Sequence, residues 1–149
     1  MLSFSDSRNL DFTAYQLYSL VLDVEKYPEF VPWCESCKVL SKEDQTIYAE
    51  LSVRYGLFAK SYTSKIDHGV LSDEEYFVHI VQTQGPFEKL NTDWAFKKDG
   101  KFSSVVNYNM ELALKSSFLE NMLSTVLDSA ADLMINAFEK RAQEIYGNS

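Results

Sequence analysis

Ser116–Tyr146 reads SSFLENMLSTVLDSAADLMINAFEKRAQEIY, and this stretch decides the fold. Leu119, Met122, Leu123, Val126, Ala130, Leu133, Met134, Ala137, Phe138 and Ile145 recur at spacings of three and four. That is the stripe of an amphipathic helix rather than the alternation of a strand. No Pro or Gly interrupts the run, so it predicts one unbroken helix. Gly147 follows as a C-cap, and Lys140 and Arg141 lie toward the end of the helix dipole that favours cations. At 1.5 Å per residue such a helix spans roughly 45 Å, the width of a small domain. Everything upstream, back to about residue 34, reads as strands. A helix this long needs a large curved sheet to lie against, and a sheet wrapped around it can enclose a cavity.

Working outward from the helix, Phe102, Ser104, Val106, Tyr108, Met110 and Leu112 alternate onto one face of the strand before it. Lys98-Asp99-Gly100-Lys101 predicts the hairpin turn that enters this strand, with Asp-Gly supplying positive φ values. Leu90, Thr92, Trp94 and Phe96 share a face on the preceding strand, which leaves Asp93 pointing the other way. Gly85-Pro86 marks a turn. Earlier strands fit Glu75–Gln84, Phe58–Asp67 after a turn at Gly56, and Ile47–Arg54, where Ile47, Ala49, Leu51 and Val53 form the buried face. Near the N-terminus, Leu2–Leu10 reads as a polar-rich edge strand. Thr13-x-x-Gln16 has the form of a capping box ahead of a helix that buries Leu17, Leu20, Val21 and Val24. Pro28 suits the first turn of a second short helix, and Pro32 breaks it. The class is α+β: a helix-grip arrangement with a curled antiparallel sheet of about six to seven strands around a long C-terminal helix. Two short helices follow the first strand.

With 149 residues, the chain is expected to form one domain over residues 1–149. Ten Phe, nine Tyr and two Trp supply more apolar material than a minimal core needs. No apolar run approaches the ~18 residues of a membrane-spanning helix. The first residues lack the order of a signal peptide, so the expectation is a cytoplasmic protein, or one peripheral at the inner membrane. A net charge of −8 argues against a dominant phosphate-binding surface, because nucleic-acid affinity comes largely from Lys and Arg. No DNA partner is expected.

Catalytic and metal readings find little support. There is no G-x-S-x-G, H-E-x-x-H, P-loop or Rossmann glycine pattern. His68 and His79 both fall on strands. Asp93, Glu88, His79 and Lys60 could in principle build acid–base chemistry from distant positions, but Asp93 points outward by alternation. Cys34 and Cys37 form a lone C-x-x-C, whereas a structural zinc site wants four ligands; reduced thiols are the default in a reducing compartment. A non-enzyme without a catalytic or metal site is the expectation.

Three segments carry a resemblance to a known family. They are Tyr27-Pro28-Glu29-Phe30-Val31-Pro32-Trp33-Cys34; Gly85-Pro86-Phe87 with Leu90 and Trp94-Ala95-Phe96; and Ala137-Phe138-Glu139 with Arg141-Ala142 and Tyr146-Gly147. Together with Tyr62-Thr63-Ser64 they resemble the coenzyme Q-binding and ribosome association toxin family of START-like (polyketide cyclase/dehydrase, SRPBCC) proteins, from about Asp11 to Gly147. The resemblance implies an apolar tunnel between sheet and terminal helix holding ubiquinone or another prenylated lipid, with no cofactor required. It implies a carrier or chaperone supporting respiratory electron transport. It leaves two alternatives: binding to the large ribosomal subunit, and a small-molecule cyclase on the same fold. Each five-carbon unit removed from water contributes on the order of 3–4 kcal/mol, at ~0.8 kcal/mol per carbon, against association costs of roughly 4–15 kcal/mol.

Candidate ligand-contacting residues are Trp94, Phe96, Tyr108 and Met110 on inward strand faces, Tyr62 from the segment that carries the resemblance, and Met122 and Val126 on the helix; for the strand stripe, plain core packing is the competing reading. Tyr27, Phe30, Val31 and Trp33 serve either as a lid or as a staple between helix and sheet. Leu57, Phe58 and Phe87 are apolar residues at loop tips, suited to gating the cavity, to transient membrane contact, or simply to covering the end of the core. Lys60 and Arg54 are possible donors to a quinone carbonyl.

Overall fold

The computed structural model describes residues 1–147, and the side chain of Val126 also lies outside the described set. The elements run β1 (Leu2–Leu10), α1 (Ala14–Leu22), a 3-10 helix (Val24–Glu29), β2 (Cys34–Glu43), β3 (Thr46–Tyr55), β4 (Phe58–Ser72), β5 (Glu75–Gln84), β6 (Phe87–Gly100), β7 (Ser103–Leu114), α2 (Ser117–Leu127) and α3 (Ala130–Tyr146). All seven strands belong to one curled antiparallel sheet in the order β1-β7-β6-β5-β4-β3-β2. Consecutive strands from β2 to β7 pair as hairpins, and β1 returns to the far side of β7. The polar-rich first strand is therefore at an edge, as its composition predicts.

The helices lie on the inward face. At the start of α1, Thr13 Oγ1 accepts from the Gln16 N–H at 3.1 Å and Gln16 Oε1 accepts from the Thr13 N–H at 2.9 Å, completing the capping box. Ala14, Leu17, Leu20 and Val21 are buried beneath it. They join a core with Ile66, Val78, Phe96, Val106, Ile135 and Phe138. A second cluster gathers Phe87, Leu112, Leu114 and Leu123 at the other end of the sheet.

The structure departs from the sequence pattern in several places. The C-terminal stripe is two helices, broken at Asp128-Ser129, where Ser129 has φ −104° and ψ 12°. Asp and Ser offer their side chains to nearby backbone and favour helix ends over interiors. The break changes the phase of the stripe. Leu119, Leu123 and Leu127 of α2 face the second cluster, whereas Ala131, Ile135, Phe138 and Ala142 of α3 face the main core. Met122, Leu133 and Ile145, expected inside, are exposed. The second short helix is a 3-10 turn that starts at Val24 and carries Pro28 within it. At the β6–β7 hairpin, Gly100 pairs with Ser103, so the turn is Lys101-Phe102 rather than Asp99-Gly100. Phe102 thus sits at the tip, 68% exposed, and leaves the inward row that Ser104 to Leu112 keep.

Candidate functional site

A cavity of about 200 Å³ lies between the curled sheet and the two C-terminal helices. Strand alternation supplies most of its wall: Leu51 and Val53 from β3, Tyr62 and Ser64 from β4, Ile80 from β5, Leu90, Thr92 and Trp94 from β6, and Tyr108, Met110 and Leu112 from β7. Leu123, Leu127, Ala130, Met134 and Phe138 close it from the helix side, with Ala130 at the break. Val31, Pro32 and Trp33 complete the rim with Arg54, Tyr55 and Phe58. The rim residues Arg54 and Tyr55 are exposed, while Ser64, Trp94, Tyr108 and Phe138 are buried. The cavity therefore runs from an open end at the β3–β4 hairpin to a closed end beneath α3.

Aromatic packing holds the closed end. The Trp94 ring meets Tyr108 edge-on at 4.6 Å and Phe138 at 5.0 Å, with Phe96 stacked at 5.8 Å. Nearer the mouth, Tyr62 lies edge-on to Phe87 at 5.4 Å. Trp33 at the rim has φ +64°, a left-handed conformation that costs an L-residue roughly 1–2 kcal/mol. Its carbonyl accepts the Arg54 N–H at 2.9 Å, which ties the rim loop to β3.

The wall is uncharged within. None of the described lining residues is Asp, Glu, His or Lys, and Arg54 sits at the rim paired with Glu35 at 3.1 Å. Burial pushes the Tyr27, Tyr62 and Tyr108 phenols up. It also pushes the Cys34 thiol up to about 11 and the Cys37 thiol to about 12, the latter helped by its neighbours Cys34 and Glu25. All of these groups stay neutral near pH 7. A bulge between Cys34 and Ser36 lets both cysteines of the C-x-x-C turn toward the interior. No group of three or more His, Cys, Asp or Glu among the described residues is placed to hold a metal ion.

Of the candidate residues, Tyr27, Val31, Trp33, Phe58, Tyr62, Phe87, Trp94, Tyr108 and Met110 line the cavity. Others lie elsewhere. Phe30 packs against Phe138 at 5.0 Å and beneath the Arg141 guanidinium at 5.1 Å, as a staple between the 3-10 helix and α3. Phe96 is 1% exposed and lies beside Trp94 along β6, in the core and off the cavity wall. Leu57 stands in solvent at the hairpin tip, and Met122 faces out from α2; the Val126 side chain lies outside the described residues. The acid–base candidates are also away from the cavity: Lys60, Glu88 and Asp93 are exposed. Asp93 forms a close pair with His79 Nδ1 on the outer sheet face, while His68 Nδ1 meets the Tyr18 hydroxyl at 2.6 Å. Leu51, Val53, Leu90, Thr92, Leu112, Leu123, Met134 and Phe138 were visible as inward-facing residues, yet nothing in their spacing separates a cavity wall from a packed core.

A curled antiparallel sheet gripping C-terminal helices over an apolar cavity defines the class, a helix-grip protein of the START-like type. The chain belongs to the polyketide cyclase/dehydrase and lipid transport family, whose model matches residues 10–139. It is 29% identical over 145 residues to the ribosome association toxin RatA of Rickettsia prowazekii, covering 97% of this chain and 99% of that one. It is 33% identical over 147 residues to the mitochondrial coenzyme Q-binding protein COQ10 of Dictyostelium discoideum, covering 96% and 70%. The solution structure of the 18 kDa protein CC1736 from Caulobacter crescentus superposes with a TM-score of 0.75 at 30% identity, covering 99% of each chain.

Proposed function

We propose that this protein binds the ring end of a prenylated quinone, or of a lipid of similar shape, and carries it to enzymes of respiratory electron transport. The observation that carries this reading is the cavity, apolar on nearly every side and closed by neutral groups. An empty apolar space of about 200 Å³ costs up to about 5 kcal/mol at ~24 cal/mol per Å³, so an apolar guest is favoured. A cavity of about 150 Å³ holds benzene. The present one fits a substituted ring with a few further carbons, and a long prenyl tail would extend through the mouth. The relative named as coenzyme Q-binding supports the quinone. The wall lacks, among its described residues, the paired acid and base that a cyclase would use, which favours binding over catalysis.

Purified native protein, extracted with organic solvent and analysed by mass spectrometry, is expected to yield a prenylquinone. Protein that stays ligand-free when made in quinone-replete cells would sink the reading. A second reading, association with the large ribosomal subunit, is supported by relatives named as ribosome association toxins; the net charge of −8 disfavours contact with RNA. Overexpression that shifts subunit profiles in sucrose gradients would support it, and unchanged profiles would remove it.

A further inference from the structure

The closed end of the cavity has one polar fault. Ser64 is 0% exposed on the inward face of β4, between Ala49 of β3 and Gln82 of β5. It lines the cavity, and its Oγ has no hydrogen-bond partner among the described residues. The second buried serine behaves in the ordinary way: Ser104 Oγ donates to the Phe12 carbonyl at 2.9 Å. The polar neighbour beside Ser64 is already engaged, because Gln82 Nε2 donates to the Phe87 carbonyl at 2.9 Å and its Oε1 accepts the Phe87 N–H at 3.2 Å. Buried hydroxyls are nearly always paired, with protein or with water, and the space open to this one is the cavity, so its partner is a water or an acceptor on a guest there.

Position adds a direction. From Phe58 at the mouth to Ser64, the chain advances six residues along β4, about 20 Å at ~3.3 Å per residue. A guest that entered tail first would place hydrocarbon against the hydroxyl and leave it unsatisfied. One that entered ring first would place its oxygens there and leave the tail at the rim formed by Trp33, Tyr55 and Phe58.

We propose that Ser64 donates a hydrogen bond to a carbonyl oxygen on the ring of the guest, fixing a ring-inward, tail-outward orientation and selecting for ring-borne acceptors. This rests on the carrier reading above. Titration calorimetry of the full chain with ubiquinone-1 and with prenylbenzene, which has the ring and tail without the oxygens, tests it. Ser64→Ala removes an unsatisfied hydroxyl, so it is expected to melt no lower than the natural protein. It is expected to weaken ubiquinone-1 roughly five- to tenfold and to leave prenylbenzene within about twofold. The infrared carbonyl stretch of bound ubiquinone-1 should move back toward its free position in the same variant. Ser104→Ala, as a control, should melt lower while keeping the ratio of the two affinities.

If Ser64→Ala binds both probes as the natural protein does, or loses both equally, the orientation proposal fails and the carrier reading stands. If the natural protein binds neither probe, the carrier reading fails and this proposal falls with it.

Discussion

Gly85 sits between β5 and β6, where the chain passes so close to β4 that a side chain has no room. A Cβ there would lie 2.5 Å from Tyr62 Cβ and would overlap the Gln82 carboxamide. That approach lets Gln82 bridge both backbone groups of Phe87 and sets the Phe87 ring on the cavity wall. Gly85→Ala is expected to cost about 1–3 kcal/mol by overpacking. Thermal melts read this as a fall of roughly 2–4 °C per kcal/mol for a chain of this size; an unchanged melt would mean the turn moves aside freely. The cysteines give a pH signature. Their folded pKa values stand at about 11 and about 12 against an ordinary 9.0, so thiolate is scarce at neutral pH. Alkylation should be slow and should keep rising to pH 10 without a plateau; a plateau near pH 8 would contradict the burial of these thiols. Because the unfolded thiols ionise first, the unfolded state binds fewer protons above pH 9. Their contribution to stability is complete below that pH and is lost as the pH climbs through about 11 for Cys34 and about 12 for Cys37.

Among the elements, α1 is the one whose start is most local in origin. Both reciprocal bonds of its capping box involve Thr13 and Gln16, and the spacing alone announces them. Thr13→Ala should cost about 1 kcal/mol in urea denaturation, with Gln16→Ala adding little to the double variant because the box acts as a unit. Additive losses would show the two bonds to be independent. The C-terminal helices teach the opposite lesson. A run without Pro or Gly looks continuous, yet Asp128-Ser129 divides it. The clue was the Asp-Ser pair, two weak helix formers, in mid-stripe, together with a stripe too wide for one straight helix: Leu119, Leu123 and Leu127 keep one spacing of four, and Ile135, Phe138 and Ala142 keep another face. The Asp-Gly pair in the β6–β7 hairpin misled for a related reason. Turn chemistry marks the neighbourhood, while pairing along the whole of β6 and β7 chooses which two residues occupy the tip.

At the scale of the whole molecule, apolar groups stand out around the mouth while the overall charge is strongly acidic. Leu57 is 103% exposed on the hairpin beside the rim, and no described helix is long and apolar enough to cross a membrane. Under the proposed carrier function, collection of a guest at a bilayer relies on these apolar tips, since anionic lipids attract Lys and Arg rather than a chain of net charge −8. Quinone transfer between vesicles should therefore be faster for neutral than for anionic lipid at low salt, with the gap narrowing toward ~0.15 M salt as screening shortens to about 8 Å. Leu57→Asp should slow transfer without lowering the melting temperature, because its side chain packs against nothing. Equal transfer by Leu57→Asp would exclude the hairpin tip from the encounter.

The order of apolar and polar residues by itself determined the strands, the inward faces, the capped first helix and the edge position of β1, because periods of two and 3.6 are local properties of a chain. It also placed Trp94, Tyr108 and Met110 on the concave side. It carried nothing that distinguishes Trp94, which meets the cavity, from Phe96, two residues further along the same face, which does not. Nor did it mark Ser64 as a hydroxyl without a partner. Those outcomes depend on how far the curled sheet stands from the two helices that follow it in the chain. The break at Asp128-Ser129 and the closure of seven paired strands into one sheet decide whether an inward face meets packed core or open space.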